Sequence, residues 1–202
     1  MRRRVTLGSM SFRLPPATAC WQHRGARSGF EVAYFTAWPH GWCIDGTTTA
    51  IQDTQTWVVT YRIEVDAAWV TRSARITARS VEGPRETLLE SDGAGRWLVD
   101  GERAPHLDGC VDIDLESSAM TNALPVHRLG LAPGTRADAP AAFVRVLTLA
   151  VDRLDQAYRR IPDEAAHQRY DYAAPAFDFT SRLVYDESGL VIDYPGIALR
   201  AG

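Results

Sequence analysis

Residues 56–66, TWVVTYRIEVD, alternate apolar and polar side chains over eleven positions, with Val58 the one apolar residue on the polar side. Trp57, Val59, Tyr61, Ile63 and Val65 fall on one side, and Thr56, Thr60, Arg62 and Glu64 on the other. Successive side chains of a strand point to opposite faces, so this spacing predicts a long β-strand with one buried face. A helix would scatter the same residues around its circumference. The run therefore commits this part of the chain to a sheet.

The same grammar recurs. Residues 19–37 hold two short apolar runs, CWQH and FEVAYFTAW, around Gly25 and Gly29, with Glu31 inside the second. Pro39, Gly41 and Asp45-Gly46 read as turn signals around a short strand. From Trp69 to Arg79, Val70, Ala74, Ile76 and Ala78 share a face, and Arg72 falls on it with them. An arginine there must snorkel out or meet a carboxylate. Residues 86–91, 96–100, 169–172 and 177–185 read as further strands, Phe177, Phe179, Leu183 and Tyr185 sharing a face. Residues 143–160 permit helix or strand by length, and the period-two spacing of Phe143, Arg145, Leu147, Leu149 and Val151 favours strands. Residues 86–101 and 181–196 both read strand, D-x-x-G turn, strand, Asp, turn. An internal duplication of one long hairpin, or the reuse of common turn grammar, would each produce that likeness. So many short strands and one good helix candidate predict an antiparallel, mainly β architecture.

Composition narrows function more by exclusion than by assignment. All 22 basic residues are arginine, and the chain has no lysine. That removes Walker-type phosphate loops and Schiff-base chemistry, both of which need the amine. A net charge of -3 does not favour nucleic acid, whose binders usually carry a basic patch. The three cysteines, Cys20, Cys43 and Cys110, contain no CxxC, and the five histidines show neither HxH nor HExxH spacing, so neither metal nor cofactor is expected. The MRRR opening resembles a signal-peptide n-region, but Gly8, Ser9, Ser11 and Arg13 interrupt any apolar core behind it. No run approaches the roughly 20 apolar residues of a membrane helix. The expectation is a cytoplasmic protein with a poorly structured segment at 1–18, ended by Pro15-Pro16, and a single domain at 19–202.

Residues 109–131, GCVDIDLESSAMTNALPVHRLGL, are where strand grammar gives way to a helix. Asp112 and Asp114 alternate with Val111, Ile113 and Leu115, which puts both carboxylates on one side roughly 6.6 Å apart. Such a pair can serve acid–base chemistry or a hard cation. Alternatively one carboxylate caps the following helix or pairs with Arg128 or Arg72, and the other is solvated. The EF-hand pattern is absent, as is a GxSxG elbow around Ser117 and Ser118. Thr121 and Asn122 read as helix capping, or as hydrogen-bonding groups for sugar hydroxyls, with Pro125 in the first helical turn. Cys110 reads as a buried core thiol. Trp21, Trp42, Trp69, Tyr158, Tyr170 and Tyr194 could stack on sugar rings or simply pack.

Five phrases in order, GAGRWLVDG (93–101), GCVDIDL (109–115), TNALPVHRL (121–129), QAYRR (156–160) and GLVIDYPG (189–196), resemble the glycolipid-binding family, formerly a domain of unknown function. The resemblance runs from about Trp21 to Arg200. It implies a spiral β-roll, a large antiparallel sheet coiled around one central helix, with that helix within Ser117–Leu129. The matching positions are Asp112, Asp114, Thr121, Asn122, Pro125, Arg128, Gln156, Tyr158, Asp193, Tyr194 and Pro195. The family offers no catalytic residues to carry over. The resemblance thus implies binding of a glycolipid or other amphiphile, with Asp112, Asp114, Asn122, Arg128, Tyr158, Tyr194, Glu31 and Arg72 as the candidate ligand-binding residues. A hydrolase acting on a sugar-containing substrate through Asp112 and Asp114 is the alternative. A structural or protein-interaction module, in which a homodimer is allowed, is the third reading.

Overall fold

A computed structural model describes residues 12–25 and 27–202. The MRRR opening lies outside the described residues, as does most of the segment expected to be poorly structured. Of that segment, Arg13 donates its backbone N–H to Glu187 and pairs with its carboxylate at 2.6 Å.

The chain first lays down eight strands as a meander: β1 (Thr18–His23), β2 (Ser28–Trp38), β3 (Gly41–Gln52), β4 (Gln55–Asp66), β5 (Thr71–Ser80), β6 (Gly83–Ser91), β7 (Trp97–Val99) and β8 (Glu102–Arg103). A short strand, β9 (Asp112–Leu115), then leads through a 3₁₀ turn at Met120–Asn122 into the single α-helix of the described residues, α1 (Ala123–Leu129). Next come β10 (Arg136–Asp138), β11 (Ala141–Val144) and β12 (Val151–Leu154). A second meander closes the chain: β13 (Ala157–Glu164), β14 (His167–Ala174), β15 (Phe179–Tyr185), β16 (Val191–Tyr194) and β17 (Ala198–Arg200). Because β17 pairs with β1, the two meanders fuse into one fourteen-stranded antiparallel sheet, ordered from β10 and β13 through β17, then β1 to β8. A separate three-stranded sheet holds β12, β11 and β9. Its β9–β11 pair is parallel, which the expectation of an antiparallel architecture did not include.

The alternation of 56–66 appears in β4 as predicted, with Trp57, Val59, Tyr61, Ile63 and Val65 buried. Residues 143–160 are strands and a turn, and contain no helix. Four expectations need correction. Asp45-Gly46 is not a turn but the middle of β3, where a Cβ on residue 46 would lie 2.1 Å from the Tyr61 ring. The glycine is there for that close approach of a side chain. Trp69 precedes β5 and sits in a turn at φ 64°, closed by Asp66 Oδ1 accepting the N–H groups of Ala68 and Val70 at 2.9 and 3.0 Å. Arg72 does not share the face of Ala74. The β4–β5 register jumps from Glu64↔Ser73 to Val65↔Thr71, leaving Arg72 as the extra residue of a bulge. A bulge resets which face the next side chain takes. Arg72 consequently points outward to Asp66, at 3.0 and 2.6 Å, and to the Asp92 carbonyl at 2.6 Å. Phe177 lies in a 3₁₀ turn, Pro175–Phe177, before β15, and is exposed.

Two aromatic populations fill the interior. All six tryptophans precede residue 98, while five of the seven tyrosines lie between 158 and 194. The tryptophan side is a sealed apolar core around Trp21, Ile44, Trp57, Ile63, Ile76 and Trp97. The tyrosine side clusters Tyr158, Tyr170, Tyr172, Tyr185 and Tyr194 with Val126 and Phe143. Their hydroxyls explain the division, since a buried tyrosine needs a polar partner. Tyr158 donates to Asn122 Oδ1 at 2.9 Å and Tyr185 to the Asn122 carbonyl at 3.2 Å. The helix that receives them is buried at Ala123, Leu124, Pro125 and Val126, an unbroken run rather than a stripe. A helix covered on every side is an internal element. It ends at Gly130, whose left-handed φ of 50° closes a hydrogen bond to Val126.

Candidate functional site

The site grows from the short β9 strand. Its four residues are all buried, and Asp112 and Asp114 share a face as their spacing predicts. Their environments then diverge. Asp112 is completely covered and accepts two bonds from Arg128, Nε at 2.9 Å and Nη2 at 2.6 Å. Burial pushes its carboxyl up, and the guanidinium opposes that shift. Among the described residues Asp114 has no cation. Its Oδ1 accepts one bond from the Thr121 hydroxyl at 3.0 Å, and its carboxyl faces a cavity. Burial raises it to about 6, against the lowering effect of the Thr121 bond, and the nearby Asp112 and Glu116 charges add to the rise.

Thr121 and Asn122 do not cap the helix. Asn122 already has helical torsions, φ -65° and ψ -13°, and makes no cap bond. The helical segment begins earlier, at Met120, and its first N–H groups are met from another strand. Glu31 of β2 accepts the Ala119 N–H at 2.7 Å through Oε2, and through Oε1 the hydroxyls of Tyr61, at 2.7 Å, and Ser118. A carboxylate at this end suits the helix dipole. Burial nonetheless raises the Glu31 carboxyl, against the bonds from Ser118, Tyr61 and two backbone N–H groups. Ser118 Oγ also accepts the Thr121 N–H at 3.4 Å. Pro125 is the third residue of α1, within its first turn as expected.

The cavity beside Asp114 measures about 270 Å³. Its polar wall carries Asp114, Glu116, Ser118 and Asn122 from the β9–α1 connection, with Tyr172 and Tyr194 nearby. Its apolar wall comes from Phe143, Leu154, Phe177, Phe179 and Ile197. Arg24, Arg27 and Gln52 complete it, and it opens to solvent beside the exposed Arg24 and Phe177. Burial pushes both tyrosines above the usual phenol range, Tyr172 further than Tyr194, so both stay neutral hydrogen-bonding groups.

Of the residues read from the sequence as ligand-binding, the structure brings Asp114, Asn122 and Tyr194 to this cavity. Asp112 and Arg128 bind each other, Glu31 holds the helix start, and Tyr158 stands behind Asn122 as its hydrogen-bond donor. Arg72 belongs to the bulge at the β4–β5 end. Arg24, Arg27, Glu116 and the phenylalanines were missed. For Glu116 the signal was present, since Asp112, Asp114 and Glu116 continue one alternation. Trp21, Tyr158 and Tyr170 pack in the interior, and Trp42 stacks on Trp69 with centroids 6.3 Å apart. Cys110 is a core thiol raised by burial to about 11, which suppresses its thiolate. Among the described residues no group of three or more His, Cys, Asp or Glu side chains could hold a metal ion, and no helix is long and apolar enough to cross a membrane.

Comparison with known proteins supports the sequence resemblance. The chain is similar to a DUF1089 family protein from Pseudomonas aeruginosa, with 31% identity and a TM-score of 0.74 over 100% of this chain and 99% of that one. A second solved structure, a beta-barrel-like protein of the DUF1849 domain from Brucella abortus, shares the fold at 11% identity and a TM-score of 0.55, covering 94% and 96% of the two chains. No curated protein matches. The pattern of the family described as "Putative glycolipid-binding" spans residues 18–200, and the chain belongs to that family.

Proposed function

We propose that this protein binds an amphiphilic small molecule, a glycolipid or a close chemical relative, in the cavity beside Asp114. The observation that carries this reading is the division of the cavity into a hydrogen-bonding wall on the β9–α1 connection and a hydrocarbon wall of phenylalanines. Ligand pockets generally combine an apolar lining with a few placed polar groups. Sugar hydroxyls would donate to Asp114 and Glu116, and Asn122, Tyr172 and Tyr194 would complete the polar contacts. A volume of about 270 Å³ lies just under the range of roughly 300–1,000 Å³ for pockets holding drug-sized ligands. One ring or one stretch of tail therefore occupies it, and the rest of the ligand leaves past Phe177.

In this reading the large sheet coils around α1 as a spiral roll. Support comes from strands far apart in the sheet order that reach the same short segment: β2 through Glu31, β13 through Tyr158 and β15 through Tyr185. A hydrolase using Asp112 with Asp114 is disfavoured, because both Asp112 oxygens are engaged by Arg128.

Native mass spectrometry of protein freshly extracted from cells, paired with thermal shift across a lipid and glycolipid panel, tests the proposal. A retained amphiphile, or a melting-temperature rise with sugar-headed lipids that is lost in Asp114→Asn, is the expected result. Empty spectra together with no shift across the panel would overturn it.

A further inference from the structure

We propose that the amphiphile carries an anionic group, a carboxylate, phosphate or sulfate ester, next to its hydroxyl-bearing head, and that Arg27 is its seat. The inference rests on the reading that the cavity takes an amphiphile, and adds the class of head group.

The arginines of this chain are generally paired. Most of those described lie within 4.0 Å of a carboxylate, as Arg128, Arg72 and Arg160 do. Among the described residues, Arg24, Arg27, Arg79 and Arg159 have no such partner. Arg24, Arg79 and Arg159 are exposed, so water supplies what they need. Arg27 is half-buried in the β1–β2 loop, lines the cavity, and stands 5.8 Å from the centroid of the Trp57 ring. Taking a cation out of water without a partner is unfavourable. The burial pushes its guanidinium below the usual range, and the opposing charges of Glu116 and Glu31 only partly restore it. Both carboxylates already have partners. Glu31 holds the helix start, and Glu116 Oε2 accepts the Val146 N–H at 2.9 Å.

The cavity is thus polarised. Hydrogen-bond acceptors stand on the β9 side and an unpaired cation on the β1–β2 side. A neutral tail against Arg27 would leave the guanidinium with nothing to bond. A cationic head would be repelled by it. An anionic head with hydroxyls satisfies both walls at once, and guanidinium–oxyanion bonds are among the stronger hydrogen bonds available.

Octyl β-D-glucuronide and octyl β-D-glucoside share tail and ring and differ in one carboxylate. Titration calorimetry of the whole protein at pH 7 should show the glucuronide binding at least about tenfold more tightly, roughly 1.4 kcal/mol. In Arg27→Gln the ratio should fall to about one, and in Arg27→Lys, which retains the charge without the planar fork, part of it should return. Glucuronic acid without a tail and inorganic phosphate should bind at least a hundredfold more weakly than octyl glucuronide. Binding of either as tightly as the octyl compound would mean a free-anion site and overturn the amphiphilic head group. Equal affinity for the two octyl glycosides, or a preference surviving Arg27→Gln, would overturn the anion seat while leaving the cavity reading intact. No heat from either octyl glycoside would overturn both.

Discussion

At one end of β9, Asp112 gives both oxygens to Arg128; two residues on, Asp114 has one hydroxyl and a cavity. The strand presents the two carboxylates on the same side, so the backbone does not distinguish them. The neighbours do. Asp112 faces the last turn of α1, where a cation also suits the helix dipole. Asp114 faces the start of the helical segment, where Thr121 is its only donor among the described residues. The difference separates a carboxylate consumed by the fold from one left at a cavity wall. The aromatic populations repeat the contrast, with Trp21, Trp57 and Trp97 packed in an apolar core on one side and Tyr158 and Tyr185 giving their hydroxyls to Asn122 on the other.

Removing the cation should break the comparison hardest. Arg128→Met leaves Asp112 buried and unpaired, which should cost about 3–5 kcal/mol in urea unfolding. The double variant Arg128→Met/Asp112→Leu should recover most of that loss, since replacing a buried ion pair with apolar residues is often near neutral. A single-variant loss under about 1 kcal/mol would mean that Asp112 needs its partner no more than Asp114 does.

Asp114 should behave in the opposite way. Its folded carboxyl is raised from the ordinary 3.8 to about 6, so the folded state holds its proton more tightly than the unfolded chain. The stabilising contribution is therefore complete below pH 3.8 and is lost as pH rises through about 6. That interval corresponds to about 3 kcal/mol. Asp114→Asn removes the dependence, so its stability relative to wild type should improve by up to about 3 kcal/mol between pH 4 and pH 7.5. A constant difference between the two proteins over that range would show that Asp114 titrates normally. The ionised form is the better acceptor for sugar hydroxyls, so glycoside binding should be tighter at pH 7 than at pH 5.

The two sides also predict different prices for the same chemical deletion. Tyr61→Phe takes a donor from Glu31, a carboxylate sealed in the core, and should cost about 1.5–3 kcal/mol. Tyr158→Phe takes a donor from Asn122, a neutral amide oxygen, and should cost about 1 kcal/mol. Equal losses in chemical denaturation would remove the distinction between a charged and a neutral acceptor.

Much of this arrangement is legible in the sequence, and the illegible parts share a cause. Alternation marks a strand because its period is local, so β4 and the strand character of 143–160 follow from residue order. The turns after β6 and β15 are equally local. Asp92 Oδ1 accepts the N–H of Ala94 and Arg96, and Asp186 Oδ1 accepts those of Ser188 and Leu190, the same pattern on similar phrases. The bulge at Arg72 cannot be read this way, because one extra residue reverses every facing beyond it without changing composition. Gly46 misleads for a related reason. Asp-Gly is a strong turn signal, but here the glycine answers to Tyr61 on the neighbouring strand. Arg27 reaches the cavity only because β17 closes against β1 and brings Ile197 beside the β1–β2 loop, a pairing of the chain's two ends. Glu116, by contrast, needed only one more step along an alternation already noted.

Phe177 offers the smallest effect on folding and the cleanest separation of binding from stability. Its side chain is exposed at the cavity mouth, 5.5 Å from the Phe143 ring and 5.4 Å from the Arg145 guanidinium carbon. An exposed residue of this kind should change stability by no more than about 0.5 kcal/mol when cut to alanine. If the ligand's tail leaves the cavity past this ring, lengthening the tail from octyl to dodecyl should raise wild-type affinity. Phe177→Ala should then remove much of that gain while leaving the melting temperature in place. The cause would be lost apolar contact at about 25 cal/mol per Å² of area covered. Should the gain with tail length survive in Phe177→Ala, the tail takes another exit, and the hydrocarbon wall belongs to the core of the fold rather than to the path of a ligand.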